Sequence, residues 1–392
     1  MALRVTKPAF NLRDKLSELD RPVGSHGSQL MKSESVGETF GLVGAGRKNM
    51  IINGSMRIDQ RYSGSENTAN NVYTLDRWDQ NNDGTGTYKV QQNMNTISSL
   101  QETGHTHYQG VKIISATTMT GSGSKVIHHM IEGYNLARLR WGTKYAKPAS
   151  LSFWVNCSVC GTFSGTITNE SYQGLAFDYT VTEPNTWQHI KIENIPGNVN
   201  RSWSNGSGIG ARLMFSFGNG PNRVQAPWQW HTLSASGITF GANTEIQLCE
   251  TLNATWYITG VQLEEGPVCT PLEHLTYSEE LKNCQRYYQQ IVGTSDMVCV
   301  GPGRCNGTTN VPFSVPLSVP LRASPTINAC NFAAFTSNNQ DNKNNHTPAV
   351  TKWDAHSNVL TLQVSGLSGM TNARAANMFL NSSHTLSMDA EL

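Results

Sequence analysis

The stretch TWYITGVQLEEGPVCTPLEHLTYSEELKNCQRYYQQ, residues 255–290, indicates the fold of this chain more clearly than any other segment. Trp256–Leu263 alternates large apolar residues with small or polar ones, which is the period of a half-buried strand. Glu264–Pro267 ends that strand with a Gly-Pro pair. A short helix is predicted after it, with Ser278 as the N-cap. The segment therefore predicts a strand, a stop and a helical turn in that order.

A second informative segment is Asn49–Arg61, NMIINGSMRIDQR, which is followed by Asp76-Arg77-Trp78. Together with CQRYYQ at Cys284–Gln289, it resembles bacteriophage tail-fibre and other virion appendage proteins. The opening of those domains has the form N-(L/I)-(L/I)-I-N-G … W-Q-R … D-R-W, and Asp59 stands here where the family often has Trp. The resemblance covers roughly residues 46–290.

The resemblance implies a jelly-roll domain like those of carbohydrate-binding modules, followed by a second β domain, in a protein of virion origin. Related modules often hold a structural calcium through an acidic residue in the last strand. Ile258–Val261 carries no acid at the matching place, so no calcium is expected.

The composition is that of a structural, turn-rich β protein. The chain has 392 residues, a net charge of +1, 15% charged residues and 35 glycines. This length allows two or three domains. So neutral a surface lacks the cations that phosphate binding needs, which argues against a nucleic-acid partner. No apolar run approaches the ~20 residues of a membrane span, and the N-terminal residues carry charges throughout, so neither membrane insertion nor a secretory signal is expected.

The sequence predicts an all-β protein in three parts, an anchor arm at residues 1–45, a jelly-roll β-sandwich at 46–272 and a C-terminal β domain at 273–392. Short alternating runs between Gly, Asn and Pro turns predict eight or nine strands in the sandwich. The candidate strands are Met50–Asn53, Thr87–Gln91, Gly110–Ser115, Ser124–Ile131, Ala149–Asn156, Gly161–Thr168, Trp187–Ile192, Ala211–Phe217 and Ala254–Gln262.

The anchor arm contains one amphipathic stretch, which ends before Pro22. One short helix cannot bury its apolar face alone. We therefore expect this face to dock on another virion protein such as a tail adaptor; the alternative is an extension that folds on its own domain. Gly24–Ser28 is expected to be a flexible connection. The apolar face consists of Phe10, Leu12, Leu16 and Leu19.

The C-terminal part begins with an alternating run, Val311–Leu321, that contains Pro312, Pro316 and Pro320. Proline cannot donate to a strand ladder, so this run is expected at a sheet edge or a subunit interface. Edges and apolar faces that need neighbours, together with the fibre resemblance, predict a homotrimer. The Asn-rich segment Asn338–Asn345 has no core residue and is expected to be a solvated loop.

The sequence offers few groups for catalysis or metal binding. Cys157–Cys160 is a CxxC within an alternating strand, and no second pair completes a zinc site, so we expect structural thiols. His105 and His107 could share one strand face but lack an evident third ligand. A glycosidase needs two carboxylates across a cleft, and nothing pairs the acids nearest the resemblance. Those acids are Asp76, Asp79, Glu264 and Glu265. We therefore expect no enzyme, no cofactor and no metal.

Sugar binding is the favoured ligand hypothesis. Aromatic rings can stack on pyranose faces, while Asn, Gln and Asp can bind hydroxyl groups. Trp203 and Tyr172, like Trp228 and Trp230, lie in loop-like stretches rich in Gly, Asn and Pro. The alternative is that such rings pack in the sandwich or at a subunit contact. The candidate ligand-binding residues are Trp228, Trp230, Asn338, Asn339 and Asn342.

These expectations together predict a structural protein of a bacteriophage virion, a tail fibre or receptor-binding appendage that contacts host surface glycan and assembles in the host cytoplasm. A capsid-decorating or head-appendage protein is the alternative, and a glycan depolymerase is a third possibility.

Deletion of residues 1–45 should leave a folded, soluble β protein that no longer joins virions, because the predicted docking face is removed. Circular dichroism would check the fold, and immunoblots of purified particles would measure incorporation. Normal incorporation of the truncated chain would place the anchor elsewhere.

Overall fold

A computed structural model describes residues 25–33, 39, 46–231, 239–293, 298–328, 332–336, 342–346, 350–356, 359–367, 370–380 and 384–392. By their contacts the residues separate into two compact units, 1–48 and 49–392.

In the first unit, helix α1 spans Ser25–Lys32. The expectation of a flexible connection at Gly24–Ser28 is therefore wrong from Ser25 onward. Gln29–Lys32 consists of good helix formers, and the helix extends from them back through the serines. The predicted docking face of Phe10, Leu12, Leu16 and Leu19 lies outside the described residues and stays a prediction.

The second unit begins with a β-sandwich. One antiparallel sheet has the strand order β1-β2-β5-β10-β7-β8, and the other has the order β3-β4-β13-β6-β9, while β11 and β12 form a small parallel pair. The elements are β1 Val72–Leu75, β2 Trp78–Asp83, β3 Thr87–Gln92, β4 Gln109–Ser115, β5 Ser124–Glu132, α2 Gly133–Leu136, β6 Ala149–Cys157, β7 Gly161–Thr168, β8 Gly174–Val181, β9 Gln188–Ile195, β10 Ile209–Asn219, β11 Val224–Gln225, β12 Gly241–Ala242 and β13 Thr255–Glu265.

Aromatic side chains from both sheets fill the space between them. Phe153 of β6 meets Phe215 of β10 with ring centroids 5.0 Å apart. Trp256 of β13 lies 5.0 Å from Phe217 and donates its indole N–H to the Tyr179 hydroxyl at 3.0 Å. All of these rings are buried, and burial of each stabilises the fold by about 1.5–3 kcal/mol. The all-β prediction is confirmed.

Eight of the nine candidate strands are present, and Met50–Asn53 is the exception. Asn49 and Asn53 turn the chain there, because their side chains bond backbone groups instead of leaving them for a ladder. The strands β1, β2 and β8, and the two-residue strands β11 and β12, were not predicted from the sequence. β2 reads Trp-Asp-Gln-Asn-Asn-Asp, whose polar residues have low strand propensity.

The remainder of this unit begins with helix α3. Its N-cap is Thr276, not Ser278 as predicted, because Thr276 and Glu279 form a reciprocal capping box. Two further sheets follow, with the orders β14-β23-β17 and β19-β18-β22-β15-β16-β21-β20. The elements are α3 Tyr277–Gln285, β14 Tyr288–Val292, β15 Val298–Arg304, β16 Val311–Pro316, β17 Thr326–Asn328, β18 Phe332–Thr336, β19 Asn342–His346, β20 Val350–His356, β21 Val359–Val364, β22 Ala375–Leu380 and β23 Thr385–Asp389.

The sheet-edge position expected for the proline-rich run is wrong for β16, and the alternative of a subunit interface stays a prediction. β16, with Pro312 and Pro316, lies between β15 and β21. Its register with β21 is continuous, but its pairing with β15 is limited to Gly303 and Phe313. A strand with few ladder bonds on one side can accommodate residues that lack an amide hydrogen.

The Asn-rich segment is also not a loop throughout. Asn342–His346 forms β19, at one end of the seven-stranded sheet beside β18. Backbone pairing needs no apolar side chain, so a polar run can still serve as an edge strand. Asn338 and Asn339 lie outside the described residues. The predicted division of this unit between residues 272 and 273 stays a prediction.

The segments that carry the family resemblance meet at a buried polar junction between the sandwich and the C-terminal strands. Arg77 is fully buried. Its guanidinium pairs with Glu391, donates to the Met130 carbonyl oxygen and lies 3.7 Å from the ring centroid of Tyr287. The Tyr287 hydroxyl in turn donates to Glu132 at 2.6 Å. One buried cation thus links β5, the end of α3 and the residues after β23.

Further bonds extend this junction. Arg286 donates to both carboxylate oxygens of Glu132, at 2.7 and 3.0 Å. Arg61 lies 3.7 Å from the ring centroid of Tyr288 and pairs with Asp389 at 3.2 Å. Asp59, at the position where the family often has Trp, accepts instead from the backbone amides of residues 62 and 64. The segments that carry the resemblance therefore take part in a structural junction.

Glu391→Gln should lower the free energy of unfolding by about 3–5 kcal/mol, because it leaves the Arg77 charge buried without its carboxylate. Urea unfolding would measure the loss. Glu66→Gln is the matched control, since the Glu66 side chain is 57% exposed in its pair with Lys89 and should cost less than about 1 kcal/mol. Equal losses in the two variants would contradict the assigned role of Glu391.

Candidate functional site

Trp228 combines an exposed ring with an unusual backbone. Its side chain is 44% exposed, and its φ of 66° lies in the left-handed region. For a bulky residue this conformation costs about 1–2 kcal/mol, and a ring left in water contributes little apolar burial. Glycine or asparagine would adopt the same backbone at lower cost. An outlier of this kind is a reason to look for function.

The indole of Trp228 is held in place by two neighbouring segments. The backbone amide of Trp228 donates to the Ala176 carbonyl oxygen of β8 at 2.7 Å. The ring N–H donates to Oδ1 of Asp178 at 2.9 Å, and Oδ2 of Asp178 accepts from the Thr244 hydroxyl at 3.0 Å. The ring is therefore pre-positioned rather than free to rotate.

Trp228 lines a cleft of about 350 Å³ between β8 and β9. β8 and β9 are edge strands of the two sheets of the sandwich, so the cleft lies where those edges meet. His189 stacks on Trp154 at 4.7 Å with the planes 9° apart. Burial, with the charge of Lys191 adding to it, lowers the pKa of His189, and a neutral imidazole offers one donor and one acceptor. The cleft is lined by Asp178–Thr180, His189–Glu193 and Trp228.

Glu245 fixes the segment that carries Thr244. Its carboxylate accepts from the Ser164 hydroxyl and, at 3.1 Å, from the Asn219 amide. Burial raises the pKa of Glu245 to about 7, against the lowering effect of its hydrogen bonds with Ser164, Ser216, Asn219 and Gln247. Glu245 thereby supports the Thr244 and Asp178 bonds that position the indole.

The other aromatic candidates have structural surroundings. Trp230 packs edge-on against Trp141 at 5.2 Å and Trp203 at 5.7 Å, and its ring N–H donates to the Pro196 carbonyl oxygen at 3.0 Å. Tyr172 meets Phe240 and carries the Arg212 guanidinium 4.1 Å from its ring centroid. The structure therefore separates Trp228, which is exposed, from Trp230, which supports its neighbours.

The acidic residues near the resemblance all have structural partners. Asp76 is buried and accepts from the Gln60 amide at 2.7 Å. Asp79 lies 3.3 Å from His128. Glu264 accepts from Thr270 at 2.5 Å, and Glu265 pairs with Lys147.

The remaining chemical candidates are the histidines and cysteines. His105 is buried, and burial lowers its pKa to about 4. Within the described ranges no group of three or more His, Cys, Asp or Glu could hold a metal ion. No described helix has the length and apolar character needed to cross a membrane. Cys157 is a buried free thiol, and Cys160 is exposed. The Asn342 backbone belongs to β19, remote in sequence from the cleft.

Sequence analysis missed Asp178, His189 and Thr244. Asp178 sits in Leu-Ala-Phe-Asp-Tyr, where apolar residues alternate, so assigning β8 from that pattern would have placed its side chain on the outer face. Nothing local connects these residues with Trp228, because the contacts between them span 50 or more positions.

No family model matches this chain, and no curated protein matches it. Some solved structures are similar at low identity. A putative sugar binding protein from Bacteroides thetaiotaomicron is 9% identical, with a TM-score of 0.30, over 56% of this chain and 100% of that chain. A family 11 carbohydrate-binding module from Clostridium thermocellum, in complex with a β-1,3-1,4-mixed-linked tetrasaccharide, is 13% identical, with a TM-score of 0.26, over 54% of this chain and 99% of that chain.

The enzymatically active domain of tailspike protein 4 from Bacteriophage CBA120 is 10% identical, with a TM-score of 0.28, over 55% of this chain and 21% of that chain. TM-scores this low do not establish a shared ligand or activity.

Glu245→Gln should change how stability depends on pH. The folded state holds this proton more tightly than the unfolded chain, where the carboxyl pKa is near 4.5. The resulting stabilisation is present below pH 4.5 and is lost as pH rises through about 7, by up to about 3 kcal/mol. Urea unfolding from pH 4.5 to 8 should show this decline in the parent chain and a flatter profile in the variant. Parallel profiles would mean that Glu245 titrates normally.

Proposed function

We propose that this chain is a glycan-binding structural protein of a bacteriophage virion, a tail fibre or receptor-binding appendage that contacts host surface glycan through the Trp228 cleft. The virion assignment is supported by the resemblance of residues 46–290. The choice of site rests on one observation, the Trp228 ring held exposed by a strained backbone and a bonded carboxylate.

The cleft supplies the two kinds of contact that sugars use. The indole face can stack on the apolar face of a pyranose ring. Thr180, His189 and Lys191 line the same cleft and can bond hydroxyl groups, each bond contributing about 0.5–1.5 kcal/mol. Such a site binds weakly alone. A homotrimer, anchored through residues 1–45 to a tail adaptor or another virion protein, would multiply the affinity by presenting several copies together.

We propose binding without hydrolysis. Two carboxylates line the cleft, Asp178 and Glu193. Asp178 uses both oxygens for Trp228 and Thr244, and Glu193 accepts from the Cys269 amide at 3.0 Å. Carboxylates bonded to the scaffold in this way favour a positioning role over acid–base work. A reducing-sugar assay on any polysaccharide that binds tests this point, and release of oligosaccharide would favour a depolymerase.

Trp228→Gly removes the stacking ring while relieving the left-handed strain. We expect at least about tenfold weaker retention on an array of bacterial surface polysaccharides, since ring stacking and its ordered contacts carry the affinity. Thermal unfolding should change little, because the lost ring contacts and the relieved strain offset each other.

Tyr277→Ala is the matched control, since Tyr277 is an aromatic residue on α3 that is 52% exposed. Its retention on the array should equal that of the parent chain. Equal retention of the Trp228→Gly variant would remove the proposed site, and failure of the parent chain to bind any polysaccharide would remove glycan binding.

A further inference from the structure

A second cleft, of about 470 Å³, lies between two loops of the sandwich. One wall is Leu136–Tyr145, after β5, and the other is Arg201–Asn205, before β10. Its volume is within the range of small-ligand sites. None of the residues that form the Trp228 cleft lines it.

The two walls are locked together at Gly142. Its amide donates to the Asn198 carbonyl oxygen at 2.6 Å, and its φ is 86°. A Cβ atom at this position would lie 2.4 Å from the Arg201 carbonyl oxygen, so only glycine permits so close an approach. Trp141 and Trp203 meet edge-on at 4.8 Å across the same contact. These contacts hold the two walls of the cleft in fixed positions.

The lining of the cleft carries positive charge and no negative charge. The two walls, residues 136–145 and 201–205, contain four Lys or Arg and no Asp or Glu, in a chain whose net charge is only +1. Among the residues that line the cleft, two are arginines and none is acidic. Arg201 donates to the Gln173 side-chain oxygen at 3.1 Å and to the His231 carbonyl oxygen at 2.9 Å, both of them neutral acceptors.

Arg140 is the second unbalanced charge. It is exposed, and within the described part of the chain neither Arg140 nor Arg201 forms an ion pair with a carboxylate. The φ of Arg140 is 53°, which Gly or Asn would adopt at lower cost. Tyr145, on the same wall, has a ring that is 62% exposed. An arginine and an aromatic ring thus line the same cleft, and the arginine is held there at a cost in backbone strain.

We propose that this cleft binds an anionic saccharide, with Arg140 and Arg201 pairing its carboxylate or sulfate group and Tyr145 stacking on its ring. Guanidinium groups match such oxyanions in geometry and charge. Hydroxyl groups of Thr143, Ser202 and Ser204 complete the lining. Two arginines neutralise too few phosphates for nucleic acid to hold at physiological salt. The inference extends the proposed glycan binding to a second site and rests on it only in that the ligand is a saccharide.

The test uses the whole chain on an array of oligosaccharides that carry uronate, sialate or sulfate groups, each beside its neutral counterpart. We expect selective binding of acidic members that weakens as salt rises. Calorimetry on the best of them should show about tenfold weaker binding for Arg140→Gln, from loss of a charge-assisted contact, and weaker binding for Tyr145→Ala. Arg304→Gln, which removes an exposed arginine of β15, should bind like the parent chain.

Three results would overturn the inference: equal binding of acidic and neutral members, equal affinity of Arg140→Gln and Arg304→Gln, or displacement of the acidic sugar by a short single-stranded DNA at matched charge. Trp228→Gly separates the two sites. If it abolishes neutral binding while no acidic preference exists, only this inference fails. If the chain binds acidic members alone and Trp228→Gly has no effect, the Trp228 proposal fails and this one stands.

Discussion

The Arg77 guanidinium is the group on which the arrangement of residues 49–392 depends. A fully buried cation is tolerated only when its charge and donors are matched. Its carboxylate comes from Glu391, its carbonyl acceptor from Met130 and its facing ring from Tyr287. These three partners belong to the C-terminal end, the sandwich and the helix exit. The charge is therefore satisfied only when all three parts are in place, which fixes the C-terminal strands against the sandwich.

This constraint explains why the most recognisable segments are not the sites proposed to bind ligands. Asn53 bonds the Ile58 amide and carbonyl and the Asp76 carbonyl oxygen. Arg286 bonds Glu132. Asn53 thus has several buried partners, and Arg286 has one, the buried Glu132. A change in either residue leaves its partners unsatisfied. The clefts, by contrast, lie at sheet edges and loops, where Trp228, Arg140 and Tyr145 face solvent.

The two clefts share one physical design. Each presents a large side chain from a backbone position of positive φ, Trp228 in one and Arg140 in the other. In each, a rigid neighbour supports that position, through the Asp178 carboxylate in the first and the Gly142 contact in the second. Strain of this kind costs stability and persists when the surrounding structure enforces it. The clefts differ in charge, since acidic groups line only the first.

The sequence by itself determined the all-β class, eight of the sandwich strands and the candidacy of Trp228, because period-two alternation and turn residues act over a few neighbouring positions. It did not reveal β2 and β19, whose polar residues are held by backbone pairing with neighbours, nor the interior place of β16. Only the tertiary structure decided which tryptophan is exposed, which carboxylate holds it and where two acid-free loops meet. Those outcomes depend on contacts such as those of Trp228 with Asp178 and of Gly142 with Asn198, which are 50 and 56 positions apart, and no local pattern encodes such pairings.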